Sequence, residues 1–420
     1  MQTQENNGSR PFLTLELVAV LFVCAVAFFA GEILTPILPL YLSSLGNTAQ
    51  TIGLLTSVMM IGIMISEIFW GWVIDRVDLR IAIFVGTVLL GISIGLMNRA
   101  ETLLVLAVVL LFYGVCRSPI FVVGRWYMSV YAPPGRKAFA MALLGTVIGV
   151  VQSIGGFVSG FIAQYKGFHF SFTLAAGLAL AAGILILIIG PRLNFQKHQQ
   201  HEMDPGYPAE KKPSVSLNTK LITLSLGFIG VLFFVGFGIF NTYVPLFSSQ
   251  MGINTSQIGI LFGVKGLVST IAMIPLGRFG DRHDKWVILS IGMGIVAVSL
   301  FRVAVSGTYG LLLASAILFA LGSATYIPTI TALLSHSIPV FWTGTAMGIF
   351  GFLEDLGWML GPAIGGFLWA ARGPQSPFFF ASIVALMALP FAYVIKRKLG
   401  RGIEILETQE LMPEVKATGD

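Results

Sequence analysis

The stretch GWVIDRVDLR, residues 71–80, ends a long apolar run in a small charged knot, and GRFGDRHDKW, residues 277–286, writes the same knot 206 residues later. The echo runs outward from there in a single register. PLYLSSLGNTAQTIGLL (39–55) aligns with PLFSSQMGINTSQIGIL (245–261), and AMALLG (140–145) with AMGIFG (346–351). Pro39 falls on Pro245, Gly46 on Gly252, Gly53 on Gly259, Gly71 on Gly277 and Gly160 on Gly366. A constant offset held over about 120 residues marks two halves of one topology.

Composition says where such a chain can fold. Of 420 residues, 56% are hydrophobic and 10% charged, and the mean hydropathy is +0.87. A soluble domain carries about 25% charged residues, so this chain cannot cover itself in water. Twelve apolar spans are expected, at 13–42, 52–72, 81–98, 102–128, 138–164, 170–190, 220–249, 257–277, 286–304, 309–334, 343–371 and 376–395. Most can cross a ~30 Å hydrocarbon layer as helices, and the short alternating segments of a membrane β-barrel are absent. The reading is an all-α membrane protein with six-helix bundles at 1–190 and 220–395, a polar Pro- and Lys-containing linker at 191–219 and a loosely ordered tail at 396–420. The first span is too long for a signal-peptide core, so no cleaved leader is expected.

Lys and Arg set the expected orientation. With the N-terminus inside, eighteen of the 25 lie in cytoplasmic segments, four outside, and three (Arg117, Arg125 and Lys265) within spans. Both termini are therefore expected in the cytoplasm. The net charge of +6 and pI near 9.3 follow from this bias and argue for no nucleic-acid partner. Cys24 and Cys116 fall within spans and imply no disulfide. No G-x-x-x-x-G-K-[ST] loop occurs, so ATP is not expected as the driver. The five His (169, 198, 201, 283, 336) show no ligand spacing, and neither a metal, a cofactor nor an enzyme is expected.

Twelve spans as six plus six, a central linker and the G-x-x-x-D-R knots resemble the major facilitator superfamily over residues 12–395. The family's loop motif is met by Gly71, Asp75, Arg76 and Arg80, with Asp78 and Leu79 where the family usually has Gly and Arg, and again by Gly277, Asp281, Arg282 and Lys285. The resemblance implies a latch between cytoplasmic helix ends; the alternative is a charge cluster that only orients the chain. GEILTPILP (31–39) resembles the twelve-helix drug:proton antiporter branch through Glu32, Pro36 and Pro39. That branch also carries Gly-x8-Gly-x3-Gly-Pro-x2-Gly-Gly, usually in span five. Here Gly348, Gly357, Gly361, Pro362, Gly365 and Gly366 write it in span eleven, where it implies either close helix packing or a gating hinge. The branch's span-four motif keeps Gly114 but has Leu110 in the Arg position, with Arg117 two turns further along the same face.

Ionisable residues that the repeat does not copy are the candidate site. Glu32 stands opposite Gly238, Glu67 opposite Met273, Lys265 opposite Met59, Glu354 opposite Ile148 and Asp355 opposite Gly149. A charge at a helix centre costs at least ~2.5–3.5 kcal/mol in lipid, so each should face a cavity or a partner. Glu32 either binds protons or substrate, or is tied to backbone freed by Pro36. Glu354–Asp355 either couples or binds a cation, or pairs with Lys265 or Arg117. Arg117 and Lys265 either bind an anion or displace a proton, or form fixed ion pairs. Arg125 and Glu67 are read as structural, Gln152 and Asn241 as neutral cavity candidates, and Trp126, Tyr127 and the Phe-rich runs as anchors and packing.

The expected function is alternating-access transport by a monomer in the cell membrane, using protons to export a hydrophobic or cationic small molecule. The alternatives are a proton symporter or uniporter of an organic anion or small nutrient, and a non-transporting receptor or lipid-handling protein on the same scaffold. Small molecule, protons and membrane lipid are the expected partners.

Overall fold

A computed structural model describes residues 15–74, 76–131, 137–190, 217–336, 338 and 342–410. Asp75 and the linker at 191–216 lie outside the described residues, as do the side chains of Asp281, Arg125 and Trp126. The described chain is helical throughout: α1 (Leu15–Leu34), α2 (Leu38–Ser44), α3 (Ala49–Ile74), α4 (Leu79–Met97), α5 (Leu103–Tyr131), α6 (Lys137–Lys166), α7 (Phe168–Ile189), α8 (Leu217–Gln250), α9 (Thr255–Asp281), α10 (Lys285–Ala304), α11 (Tyr309–His336), α12 (Thr343–Arg372) and α13 (Ser376–Glu410).

These thirteen helices make twelve crossings, because the first span is broken. Pro36 has no N–H, so the chain between α1 and α2 tightens into short-range bonds, Thr35 N–H to Glu32 O (3.3 Å) and Ile37 N–H to Leu34 O (3.1 Å). Pro245, the partner of Pro39 in the repeat, sits inside an unbroken α8. Among the described residues eleven crossings are long and apolar enough for a bilayer on length and composition. The exception is α12, whose Glu354, Asp355, glycines and Pro362 dilute its apolar run. The expected loose tail differs too: α13 continues as helix past residue 395 to Glu410.

The halves repeat in three dimensions. In the first, α1 packs on α6 and α7, α4 on α5 and α7, and α3 on α5; in the second, α8 packs on α12 and α13, α10 on α11 and α13, and α9 on α11. Each pair maps onto its counterpart six crossings later. Backbone conformation keeps the register as well. Among the described residues the four glycines with positive φ are Gly46 (83°) with Gly252 (75°), and Gly167 (83°) with Gly373 (91°), two pairs at the sequence offset. All four lie in turns that an L side chain would strain. Asp78 and Asp284, also in register, cap α4 and α10 by accepting from Arg80 N–H (2.8 Å) and Trp286 N–H (2.9 Å).

Side chains such as Ile65 (58% exposed), Ile184 (57%) and Ile271 (65%) point away from both bundles, which suits a lipid-facing surface. Inside each bundle, helices approach through glycine. A Cβ on Gly114 would stand 2.2 Å from Met59 O, and one on Gly62 2.3 Å from Leu111 O, where α3 crosses α5. Gly114→Ala should therefore lower the thermal midpoint in detergent, at a cost of about 1–3 kcal/mol, although Ala normally favours a helix.

The halves meet along two seams, α6 on α9 and α3 on α12. On the side away from the charged loops both are shut. A Cβ on Gly160 would meet Gly259 Cα at 2.5 Å, and one on Gly366 would meet Gln50 Cα at 2.8 Å. Ser153 Oγ donates to Gly263 O (2.9 Å), Ser57 Oγ to Met359 O (2.7 Å) and Tyr243 Oη to Ala49 O (3.3 Å). Toward the basic side carrying Arg76 and Arg282 both seams part. Gly145 continues the α6 stripe below Gly149, and its repeat partner Gly351 continues that of α12; a Cβ on either would meet nothing within 4 Å.

On that basic side Arg76 donates to Trp72 O (3.2 Å) and lies 4.2 Å over its ring, while Arg80 stands 3.9 Å from Asp78. Lys396 bonds Asp284 across the loop. Burial alone would push the Asp284 carboxyl up, but Lys396 and the Trp286 and Val287 N–H groups hold it below its ordinary value. A depressed carboxyl stabilises above its ordinary value and loses that stabilisation as pH falls through its folded one. Asp284→Ala should cost about 0.5–2 kcal/mol near neutrality through the lost cap, with the gap to wild type closing below pH ~4. Thermal unfolding as a function of pH reads both.

Candidate functional site

Where the parted seams meet the shut ones, three ionisable side chains converge. Glu32 ends the intact part of α1 just before the Pro36 break and is 6% exposed. Its carboxylate is bonded by Arg117 from α5. Arg117 Nη1 also donates to Tyr113 Oη (3.4 Å), one turn earlier on the same face, and Tyr113 Oη donates to Gly31 O (3.4 Å). Gly155 of α6 lets this pair lie close, since a Cβ there would stand 2.8 Å from Glu32 Cβ. The pair is thus gripped from α1, α5 and α6. The reading in which the Glu32 carboxyl is tied to backbone freed by Pro36 gives way to this ion pair.

An apolar cleft between α1 and α6, lined by Leu21, Cys24, Phe28, Leu144, Ile148 and Val151, leads toward the pair from the basic side. Phe28 closes its upper end, with its ring 5.7 Å from the Arg117 guanidinium carbon.

Lys265 of α9 belongs to the second half. Its Nζ donates to Asn241 Oδ1 (2.8 Å), while Asn241 Nδ2 donates to Phe237 O (2.8 Å) and so orients the amide. The ammonium lies 5.3 Å from the ring centres of Phe237 and Phe240 and 4.8 Å from that of Phe262. It lies within electrostatic reach of Glu32 across the halves. Phe234 and Trp358 continue the aromatic wall, with rings 5.5 and 5.1 Å from Phe237.

Glu354 and Asp355 point apart, as adjacent residues on a helix must. Glu354 packs into its own bundle, its Cγ 3.2 Å from the position of a Cβ on Gly230 of α8, near the buried Tyr326. Asp355 lies on the seam stripe one turn from Met359, the register position of Gly149 in the other half. Gln152 is exposed. Of the glycine motif, Gly357 and Gly361 pack against the Val231 and Val235 carbonyls, Gly365 and Gly366 against Tyr243, and Gly348 meets nothing within 4 Å.

Some of the arrangement escaped the sequence reading. Tyr113 was signalled by its four-residue spacing from Arg117. The three Phe around Lys265 sit in runs that read as packing, and only the convergence of α8 and α9 turns them into a cage. The caps Asp78 and Asp284 were visible as acids at the offset just before two apolar runs.

Two repeated bundles, closed on one side and parted on the other around buried charges, define a multi-pass membrane protein. The family model for the major facilitator superfamily matches residues 20–273 and again 226–410, and the chain belongs to that superfamily. It is a membrane transporter of that fold. An uncharacterised MFS-type transporter of Methanocaldococcus jannaschii is 24% identical over 86% of this chain and 93% of its own length. The quinolone resistance protein NorA of Staphylococcus aureus is 27% identical over 43% of this chain and 47% of that protein. Among solved structures, a bacterial homologue of the human lysosomal transporter Spinster, inward-facing and unoccupied, superposes with a TM-score of 0.74 at 13% identity over 94% of this chain and 99% of that one. The nucleoside transporter NupG superposes at 0.68 with 14% identity over 93% and 99%.

Proposed function

We propose that the protein exports a hydrophobic or cationic small molecule in exchange for protons, working as a monomer. The observation that carries this reading is the buried Glu32–Arg117 pair facing Lys265 across the halves, where the cleft from the basic side ends. The excess of Lys and Arg supports a cytoplasmic position for that side and for both termini. A lipophilic molecule would enter between α1 and α6, meet the aromatic wall of α8 and find in Glu32 the counter-charge for a cation. Rocking of the 1–190 half against the 220–395 half would then shut the basic side and open the other. In this reading Arg76, Arg80, Arg282 and Lys285, with Asp75 and Asp281, latch the closed basic side. The partial likeness to NorA supports an efflux role.

A second reading has its own support: two cations, Arg117 and Lys265, against one acid suit a carboxylate substrate brought in with a proton. The sign of proton movement separates the two. In inside-out vesicles with an acidified lumen, adding an exported substrate should alkalinise the lumen, read with a pH-sensitive dye. A symported substrate taken up from the same side should acidify it.

A further inference from the structure

The Lys265 cage asks which charge it was built for. An ammonium has three donors, and here one hydrogen bond, to Asn241, accompanies three ring faces within the range of cation–π attraction. The Glu32 carboxylate does not bond it, being engaged by Arg117, whose guanidinium does not give up its proton. Glu32 reaches Lys265 electrostatically from the other half. Of the helices packed on α9, α8 turns Tyr243 to Pro362 O, α11 sets Tyr326 beside Glu354, α6 keeps its charged residues at its ends, and α10 likewise holds Lys285 and Arg302 at its two ends. Lys265 is half-buried, and so are Phe234, Phe237 and Trp358 beside it. Lys265 and Phe237 thus border the space between the halves, with Phe240 and Phe262 buried behind them.

We propose that Lys265 carries the exchanged proton, and that its ammonium and an organic ammonium or other aromatic cation are alternative occupants of the cage of Phe237, Phe240 and Phe262. The idea rests on proton-coupled export and adds which group titrates and what class of substrate displaces it. When Lys265 releases its proton, one N–H bond breaks, the electron pair stays on Nζ and water in the open cleft takes the proton. The neutral amine can remain on Asn241 while the rings accept the substrate's charge, which Glu32 balances in place of the lost one. Substrate release on the other side frees the rings, and Lys265 takes up a proton there. The site then holds one exchangeable positive charge at every stage, so exchange of a monovalent cation for one proton is electroneutral.

Ethidium is the probe, its binding to the purified protein measured by fluorescence from mildly acidic to mildly alkaline pH. Wild-type affinity should fall by about tenfold per pH unit below the amine's working value. Lys265→Met should bind at all pH values without that slope, and Lys265→Arg, which cannot lose its charge, at none. Phe262→Leu should weaken binding about tenfold while leaving the slope in place, which keeps the test informative where a lysine variant folds poorly. Wild-type pH dependence in Lys265→Met, or no ethidium binding at any pH, overturns the proposal. Proton-driven ethidium transport in proteoliposomes is measured alongside. Transport that persists with the same pH dependence in Lys265→Met sinks this inference alone, whereas competitive binding in a wild type that moves no protons sinks the export reading and leaves the shared cage standing.

Discussion

Arg117→Ala should abolish gradient-driven transport, a loss of at least about a hundredfold, and should also lower the stability of the folded protein. The two effects have one origin. Glu32 is 6% exposed and bonded by Arg117, so truncating the guanidinium leaves a buried carboxylate without its partner. Breaking a buried pair from one side costs about 3–5 kcal/mol, because the remaining charge keeps its desolvation penalty without compensation. The stranded carboxylate has Lys265 within reach and would draw it away from Asn241 and its rings. Glu32→Gln should be milder in stability, since an amide can still accept from Arg117. The double variant Glu32→Gln/Arg117→Ala should recover most of the stability and none of the transport, and with the two single variants the double-mutant cycle reads the coupling directly. Unfolding in detergent and proteoliposome flux suffice as measurements. Normal flux in Arg117→Ala would remove the pair from the transport site.

How much of this could be read beforehand depends on what each feature needs in order to exist. Span number, boundaries and the doubling were legible because a bilayer demands about twenty apolar residues per helix and the repeat writes its turns in Gly and Pro. The Gly46–Gly252 match is such a turn, and its positive φ in both copies is why no other residue type stands there. Glu32 and Lys265 were legible as charges that one half has and the other lacks. Which charge meets which was not, since pairing depends on the rotation of helices far apart in sequence. Arg117 and Glu32 are 85 residues apart, and nothing short of the packing of α1, α5 and α6 distinguishes that pair from Arg117 with Glu354. The adjacent acids show the same limit. A helix separates Glu354 from Asp355 by about 100°, but only the position of α8 shows that Glu354 turns inward beside Gly230.

The last expectation concerns the shut side, where the doubling makes a quantitative demand. Gly160 meets Gly259 in the α6–α9 seam, and their repeat partners Gly366 and Gly53 occupy the α12–α3 seam, where a Cβ on Gly53 would stand 2.2 Å from Pro362 O. These overlaps are with backbone, which cannot rotate aside, so a side chain there must push the helices apart. Gly160→Leu should cost the shut state about 1–3 kcal/mol. Full conversion of a closed population to an open one takes about 5.5 kcal/mol, so the single variant should shift the balance without completing it. Gly53→Leu acts at the other seam through different neighbours, so the costs should add, and the double variant should stay open on that side and turn over negligibly. Spin labels at Tyr165 and Val305, both exposed at that end, should report a longer distance in each single variant and the longest in the double. Gly177→Leu, where a Cβ meets nothing within 4 Å, should leave distance and flux as they were. An unchanged distance in the double variant would mean that the glycine crossings fasten the halves permanently, and alternating access would then need a different pivot.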